Sequence, residues 1–437
     1  MEANRVLQPL GVAAGRAAQG CQMNLTLFFG LLGSLLVLAF VAHRLVRRTG
    51  VPDVLVLMAT GVLLGPLFHL VDPSKFEGVT HGFGTLALIL ILFEAGLELE
   101  VWEAFRHFPG AFALAVFSYV FTAGLIALVA RYTLALPLHS ALIVGAVLGG
   151  VSSSVTLPVL QHLSLRPKIR TTLVIEAALA DILSVLAVTA LLVMPAHGSI
   201  LAGVAQGFFV ELGISLVFGV AAGIGWSFLL PALSDQRFWQ VLTFGAVLVL
   251  YAVSAVAGGG PLLAVLVFGL TLSNAPEARK RLGRPLPPSA ARPETDPHAT
   301  LLAFHAELSF LVRTFFFVLI GLVVRFSAFS RQWIAVAGIF GAILVGRWLA
   351  VSASRLVWRD THPRERELAV WLLPRGLITA VLALEAARVR GGAWDFLLDL
   401  AFAAIVLTNL FLMIATFHAR RLSQLVEVSE TASSAQL

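Results

Sequence analysis

Glu176 and Asp181 stand five positions apart in VIEAALADILSV (174–185), a stretch that is otherwise apolar. A charged side chain at the centre of a membrane helix costs roughly 2.5–3.5 kcal/mol on insertion scales, so such groups face a cavity or pair with one another. Three arginines in similarly apolar surroundings, Arg313, Arg347 and Arg375, are available for pairing. Five residues of α-helix turn through about 500°, a net rotation of about 140°, and rise about 7.5 Å. The two acids therefore point in different directions, which suggests divided labour. A guanidinium does not give up its proton, so a buried arginine demands a permanent anion or a polar cavity. Glu176 is the candidate for that ion pair. Asp181 lies about one turn deeper from the basic loop Arg166, Lys168 and Arg170, and is the candidate exchangeable site. A proton and a metal cation compete for one such carboxylate, which is the minimum chemistry of exchange.

The elements that must position these groups are membrane helices. Of the residues 59% are hydrophobic and 12% charged, with a mean hydropathy of +0.93, well outside the range of soluble globular chains. Thirteen apolar runs near the ~20 residues that span a bilayer are expected: 25–45, 52–70, 82–99, 110–133, 138–163, 171–195, 199–230, 238–257, 261–275, 301–325, 332–357, 366–388 and 393–417. The first 24 residues have no signal-peptide core, so the first span is expected to stay as an anchor. The proline-rich stretch 276–300 reads as a loop, and the single Cys21 excludes an internal disulfide. The eleven histidines show no metal-ligand spacing.

Lys and Arg are retained on the cytoplasmic side. Joints after odd-numbered spans, with the C-terminal tail, carry 19 of them; joints after even-numbered spans, with the N-terminal tail, carry 8. This places the N-terminus outside and the C-terminus in the cytoplasm. The net charge of +6 is explained by this topology without nucleic acid.

The chain also repeats itself. MATGVLLGP of span 2 matches LVFGLTLSN of span 9, and FEAGLELE of span 3 matches VLIGLVVR of span 10. An offset of seven spans, an odd number, turns the second copy upside down in the membrane. Span 5 then corresponds to span 12, and both carry helix breakers: Gly149, Gly150, Ser152 to Ser154 and Pro158 in one, Pro374 and Gly376 in the other. Interrupted helices at bilayer depth are tolerated where the freed backbone lines a polar cavity.

Other acids are weaker candidates. Glu94, Glu98, Glu100 and Glu103 gather at the end of span 3, where a negative funnel could attract cations. Glu211 and Glu385 fall within spans 7 and 12, and His162 at the end of span 5 is a candidate for tuning pH response. Two other classes of function use parts of this pattern. A passive cation channel also uses broken helices, although no repeated carbonyl-lined filter is visible. An intramembrane serine hydrolase would need the serines near His162, but no G-x-S-x-G turn is present.

Taken together, VPDVLVLMATGVLLGP (51–66), LILILFEAGLELE (88–100), GAVLGGVSSSVTLPVL (145–160), VIEAALADILSV (174–185), ELSFLVRTFFFVLIGL (307–322) and LLPRGLITAVLAL (372–384) resemble the monovalent cation/proton antiporter superfamily, on its sodium/hydrogen exchanger side. The resemblance implies an all-α fold with two broken helices that cross. It implies a homodimer in a bacterial inner membrane and elevator-like motion of a core against a scaffold. On that division, 1–24 is a tail, 25–109 scaffold, 110–198 core, 199–331 scaffold, 332–418 core and 419–437 a cytoplasmic tail. It further implies that Asp181 binds the cation and proton, and that Ser152, Ser153, Ser154 and Thr156 can supply oxygens. Glu176 is to pair with Arg375 first or Arg347 second, and Arg313 is a structural partner. No cofactor beyond the transported Na+ or K+ and the proton is implied. Ala180 stands where relatives carry Asn or Asp, which leaves one exchangeable carboxylate and predicts one proton per cation. Ser152 stands where many exchangers carry an aspartate, which leaves the choice between sodium, the default, and potassium open.

Overall fold

The computed structural model describes residues 25–49, 51–71, 77–98, 101–160, 163, 165–193, 200–233, 236–281, 297–324, 326–354 and 363–434. Fifteen α-helices account for most of them: α1 Leu25–Thr49, α2 Asp53–Val62, α3 Glu77–Glu98, α4 Val101–Thr133, α5 Leu138–Gly149, α6 Ser153–Leu160, α7 Pro167–Val193, α8 Ile200–Leu233, α9 Trp239–Val256, α10 Pro261–Arg281, α11 Pro297–Val323, α12 Phe326–Ala353, α13 Pro363–Trp371, α14 Leu377–Arg390 and α15 Phe396–Ser434. No strand occurs among the described residues. In hydrocarbon each backbone group must find a partner within the protein, and the helix supplies one for every residue but those at its ends. α5 with α6, and α13 with α14, each make one interrupted span, so the fifteen helices correspond to the thirteen runs expected from sequence.

The differences lie at the ends. The stretch 276–281, expected as loop, continues α10 through Pro276, and 297–300 opens α11. Past Pro276 the helix is anchored to α8: Arg279 donates to Ser227 Oγ at 2.8 Å and lies 4.0 Å over the Phe228 ring. The last helix, α15, continues into the stretch 419–437 assigned as a tail and runs on to Ser434.

The inverted repeat is visible in how helices cross. α2 meets α11 with Gly61 against Gly321: a Cβ on Gly61 would lie 2.1 Å from the Val318 carbonyl oxygen, and one on Gly321 2.2 Å from that of Met58. α3 meets α10 in the same way, with Gly96 against Gly269, where added Cβ atoms would lie 2.4 Å from Leu266 O and 2.6 Å from Phe93 O. Span 2 against 10 and span 9 against 3 are one contact repeated under the seven-span offset. The four glycines are those of the matched motifs, MATGVLLGP with LVFGLTLSN and FEAGLELE with VLIGLVVR.

The other half of the molecule is built round α4. Gly145 and Gly149 of α5 approach Ala123, and Gly346 of α12 approaches Thr122, all too closely for a side chain. This close packing is what glycine contributes in a membrane, where van der Waals contact holds helices together. Gly61→Val or Gly321→Val is expected to abolish recovery of monodisperse protein, while Gly245→Ala, whose added Cβ meets nothing within 4 Å, leaves it unchanged. Size-exclusion chromatography of detergent-solubilised membranes measures this.

Candidate ion-binding site

The two interruptions lie against each other. α5 ends at Gly149, and Gly150 is extended at φ −75° and ψ 148°. Ser152 then donates its backbone N–H to the Pro374 carbonyl of the second break at 2.9 Å. Glycine is required on both sides: a Cβ on Gly376 would lie 2.2 Å from Ser152 Oγ, and one on Gly150 2.0 Å from Ser184 Oγ.

Breaking a helix exposes carbonyls at one end and amides at the other, with partial negative and positive charge respectively. Three of the exposed ends at this crossing are met by hydrogen-bonding side chains of fitting character. At the carbonyl end of α5, Tyr119 donates its hydroxyl to Ala146 O at 3.1 Å and Arg375 donates Nε–H to Leu148 O at 2.7 Å. At the carbonyl end of α13, Arg347 donates Nε–H to Ala369 O at 2.8 Å. At the amide end of α6, Asp181 Oδ2 accepts both the backbone N–H of Ser153 at 3.0 Å and its hydroxyl at 2.5 Å. Among the described residues nothing donates to Asp181 Oδ1. Asp181 is 4% exposed, and its uncommitted oxygen makes it chemically unlike Glu176.

Glu176 is fully engaged. Arg347 reaches both of its carboxylate oxygens, through Nη1 to Oε1 and through Nη2 to Oε2 at 3.0 Å, and Ser118 Oγ accepts a further bond from Nη1 at 3.0 Å. Both side chains are 1% exposed. The first choice from sequence, Arg375, is not the partner: its Nε–H is spent on Leu148 O. The ~140° divergence of the two acids is realised, since Glu176 turns to α12 and Asp181 to α6.

The remaining hydroxyls of the SSS run are nearby. Ser152 Oγ and Ser154 Oγ share a hydrogen bond of 3.1 Å, and Thr156 donates to Ser152 O at 2.6 Å. Ser153 and Ser154 also line a cavity of about 470 Å³, together with Glu94 and Glu98 of α3 and Glu307, Ser309 and Arg313 of α11. Asp181 itself does not line it; Ser153, which donates to Asp181, does. Arg313 pairs with Asp53 of α2 at 3.5 Å. A second cavity, of about 320 Å³, is lined by Glu211, Tyr251 and Glu385, with Val185 and Thr189 of α7. Glu211 and Glu385 are thus brought together, but away from the cavity beside Asp181, and Glu385 also lies 3.7 Å from Arg388. His162, Glu100 and the side chain of Glu103 lie outside the described residues. The serine hydrolase alternative gains nothing, since among the described residues no histidine bonds Ser152, Ser153 or Ser154.

Several residues escaped the sequence reading. Ser118 of α4 accepts from Arg347, and Tyr119 of α4 donates to the Ala146 carbonyl of α5. Thr408 and Asn409 of α15 bind the backbone of Arg375. The one sequence signal for the last two is a Thr-Asn pair at the middle of an otherwise apolar run.

Residues 34–421 match the family described as "Sodium/hydrogen exchanger, transmembrane". The chain belongs to the sodium/hydrogen exchanger family. This exchanger-family chain is 25% identical over 391 residues to the K(+)/H(+) antiporter NhaP2 of Shewanella oneidensis, covering 87% of its own length and 64% of that protein. It thus spans just under two thirds of that relative. It is 21% identical over 377 residues to the Probable Na(+)/H(+) antiporter 2 of Methanocaldococcus jannaschii, covering 83% of this chain and 85% of that one. Its fold is that of the sodium proton antiporter MjNhaP1 from Methanocaldococcus jannaschii, solved at pH 8, with a TM-score of 0.74, 19% identity and coverage of 90% of this chain and all of that one. These relatives are transporters.

Removing one member of a buried ion pair strands the other charge, at a cost of about 3–5 kcal/mol. Glu176→Gln and Arg347→Gln are each expected to lower the melting temperature of the purified protein sharply. The double variant is expected to recover part of the loss in the same thermal assay.

Proposed function

We propose that this exchanger-family chain is a secondary transporter that exchanges a monovalent cation, Na+ or K+, for a proton, with Asp181 as the shared site. The observation that carries the reading is the asymmetry of that carboxylate: one oxygen is fixed by two donors from Ser153, and the other accepts no hydrogen bond from the described residues. A hard cation is suited by carboxylate, hydroxyl and carbonyl oxygens, and Ser152, Ser153, Ser154 and Thr156 present these beside it. Glu94 and Glu98 make the adjoining cavity attractive to cations, with Arg313 tied to Asp53 as a structural pair. Relatives named for sodium and for potassium support this pair of substrates, with sodium the first to test.

With Ala180 before Asp181, one carboxylate serves both ions, so exchange is one for one and electroneutral. The cavities favour alternating access. The first opens beside Ser153, which binds Asp181, and the second begins at Val185, one turn past Asp181 on α7. Glu211 and Glu385 would serve ions entering there. Both cavities lie where α4 to α7 and α12 to α15, the proposed moving core, meet the remaining helices, the proposed scaffold and dimer support. The assembly is proposed as a homodimer in the plasma membrane, with the N-terminus outside and the C-terminus in the cytoplasm as the Lys and Arg distribution requires. The reaction requires no cofactor.

In proteoliposomes holding a proton gradient, added Na+, K+ or Li+ is expected to dissipate the gradient with wild type and not with Asp181→Asn; an Asp181→Asn variant that still exchanges removes the site assignment. Clamping the membrane potential with an ionophore is expected to leave the initial exchange rate unchanged. A rate that follows the potential contradicts one-for-one exchange.

A further inference from the structure

α15 carries Thr408 and Asn409 within LAFAAIVLTNLFLMIA (400–415), and both are fully buried. A polar pair in such a run needs partners, and these residues find theirs on one residue of the second break. Thr408 Oγ1 accepts the backbone N–H of Arg375 at 3.0 Å while donating to Ala404 O at 2.6 Å. Asn409 Nδ2 donates to the Arg375 carbonyl at 2.8 Å and to Ile405 O at 2.7 Å. Both main-chain groups of Arg375 are therefore held from α15, at the point where the span supplies no helical partner. The position of the backbone decides where the guanidinium stands. Its Nε–H reaches Leu148 O, and the carbonyl of the preceding Pro374 accepts the N–H of Ser152, next to Ser153, which holds Asp181.

We propose that Thr408 and Asn409 are positioning residues: by fixing the Arg375 peptide they fix the distance of its charge from Asp181, and so set how a proton and a cation compete there. This rests on exchange at Asp181. A positive charge near the carboxylate opposes proton and metal cation alike, so moving it changes the affinity of the site for both. Thr408→Val is isosteric and removes the acceptor, leaving the Arg375 N–H to seek another partner. Thr408→Ser keeps the acceptor.

The test compares wild type, Thr408→Val, Thr408→Ser and Asn409→Ser in proteoliposomes, recording initial rate against cation concentration at a series of pH values. Thr408→Val and Asn409→Ser are expected to change the half-saturating cation concentration by about two- to tenfold, the range that one lost buried hydrogen bond spans. Both are expected to displace the pH profile, while the rate at saturating cation stays near wild type. Thr408→Ser is expected to match wild type throughout. If both altered variants keep the wild-type half-saturation and pH profile, the inference is overturned and exchange at Asp181 stands. The same holds if they lose only maximal rate. Should Thr408→Val not accumulate, Asn409→Ser, which vacates space, decides alone. A wild type that exchanges none of the cations overturns both readings.

Discussion

A backbone amide or carbonyl left without a partner in hydrocarbon costs several kcal/mol, and this constraint shapes the centre of the molecule. Two spans are interrupted at bilayer depth, and the freed groups are satisfied mutually or by side chains. Ser152 N–H goes to Pro374 O, Arg375 N–H to Thr408, Arg375 O to Asn409, and the end carbonyls of α5 to Tyr119 and Arg375. The glycines at 150 and 376 are what permits this, since a methyl group at either would enter the space of a serine hydroxyl. A polar centre within an apolar bundle follows from the two breaks.

The same interruptions organise the charges. Arginines stand at carbonyl ends and Asp181 at an amide end, so that ionised side chains and helix termini stabilise one another. Glu176 and Arg347 then act as a neutral unit that joins α7 to α12 and, through Ser118 and Ala369, reaches α4 and α13. A second pair does similar work near the surface: Arg166, before α7, binds Glu365 of α13 through Nε at 2.8 Å and through Nη2. The proposed core is thus fastened by ion pairs at its centre and at one end as well as by the glycine contacts on α4, while α2 and α11 combine their glycine contact with the Arg313–Asp53 pair.

Much of this was legible in the sequence because it rests on local signals. Apolar length gave the thirteen spans, and Gly61, Gly96, Gly269 and Gly321 marked the repeat because close approach permits no side chain. The separation of Glu176 from Asp181 followed from helical geometry alone. What stayed hidden depends on which span lies against which. The sequence ranked Arg375 before Arg347 as the partner of Glu176, and only the fold, which brings the Arg347 guanidinium to both Glu176 oxygens, reverses that order. Thr408 and Asn409 were unreadable for the same reason, since their partners lie over thirty positions away. The helical course of 276–281 depended on Arg279 finding Phe228 and Ser227 on another helix.

The pairing of spans 2 with 9 and 3 with 10 leaves α8 as the one span without a counterpart. Six spans return a chain to the side from which it started, so two six-span units joined directly would insert the same way up. α8 is the inverter: one additional crossing turns the second unit over. The antiparallel meeting of the two breaks, carbonyl end beside amide end, is a result of that parity. The odd number of crossings contributed by a single helix is thus a precondition of the electrostatic pairing at the centre.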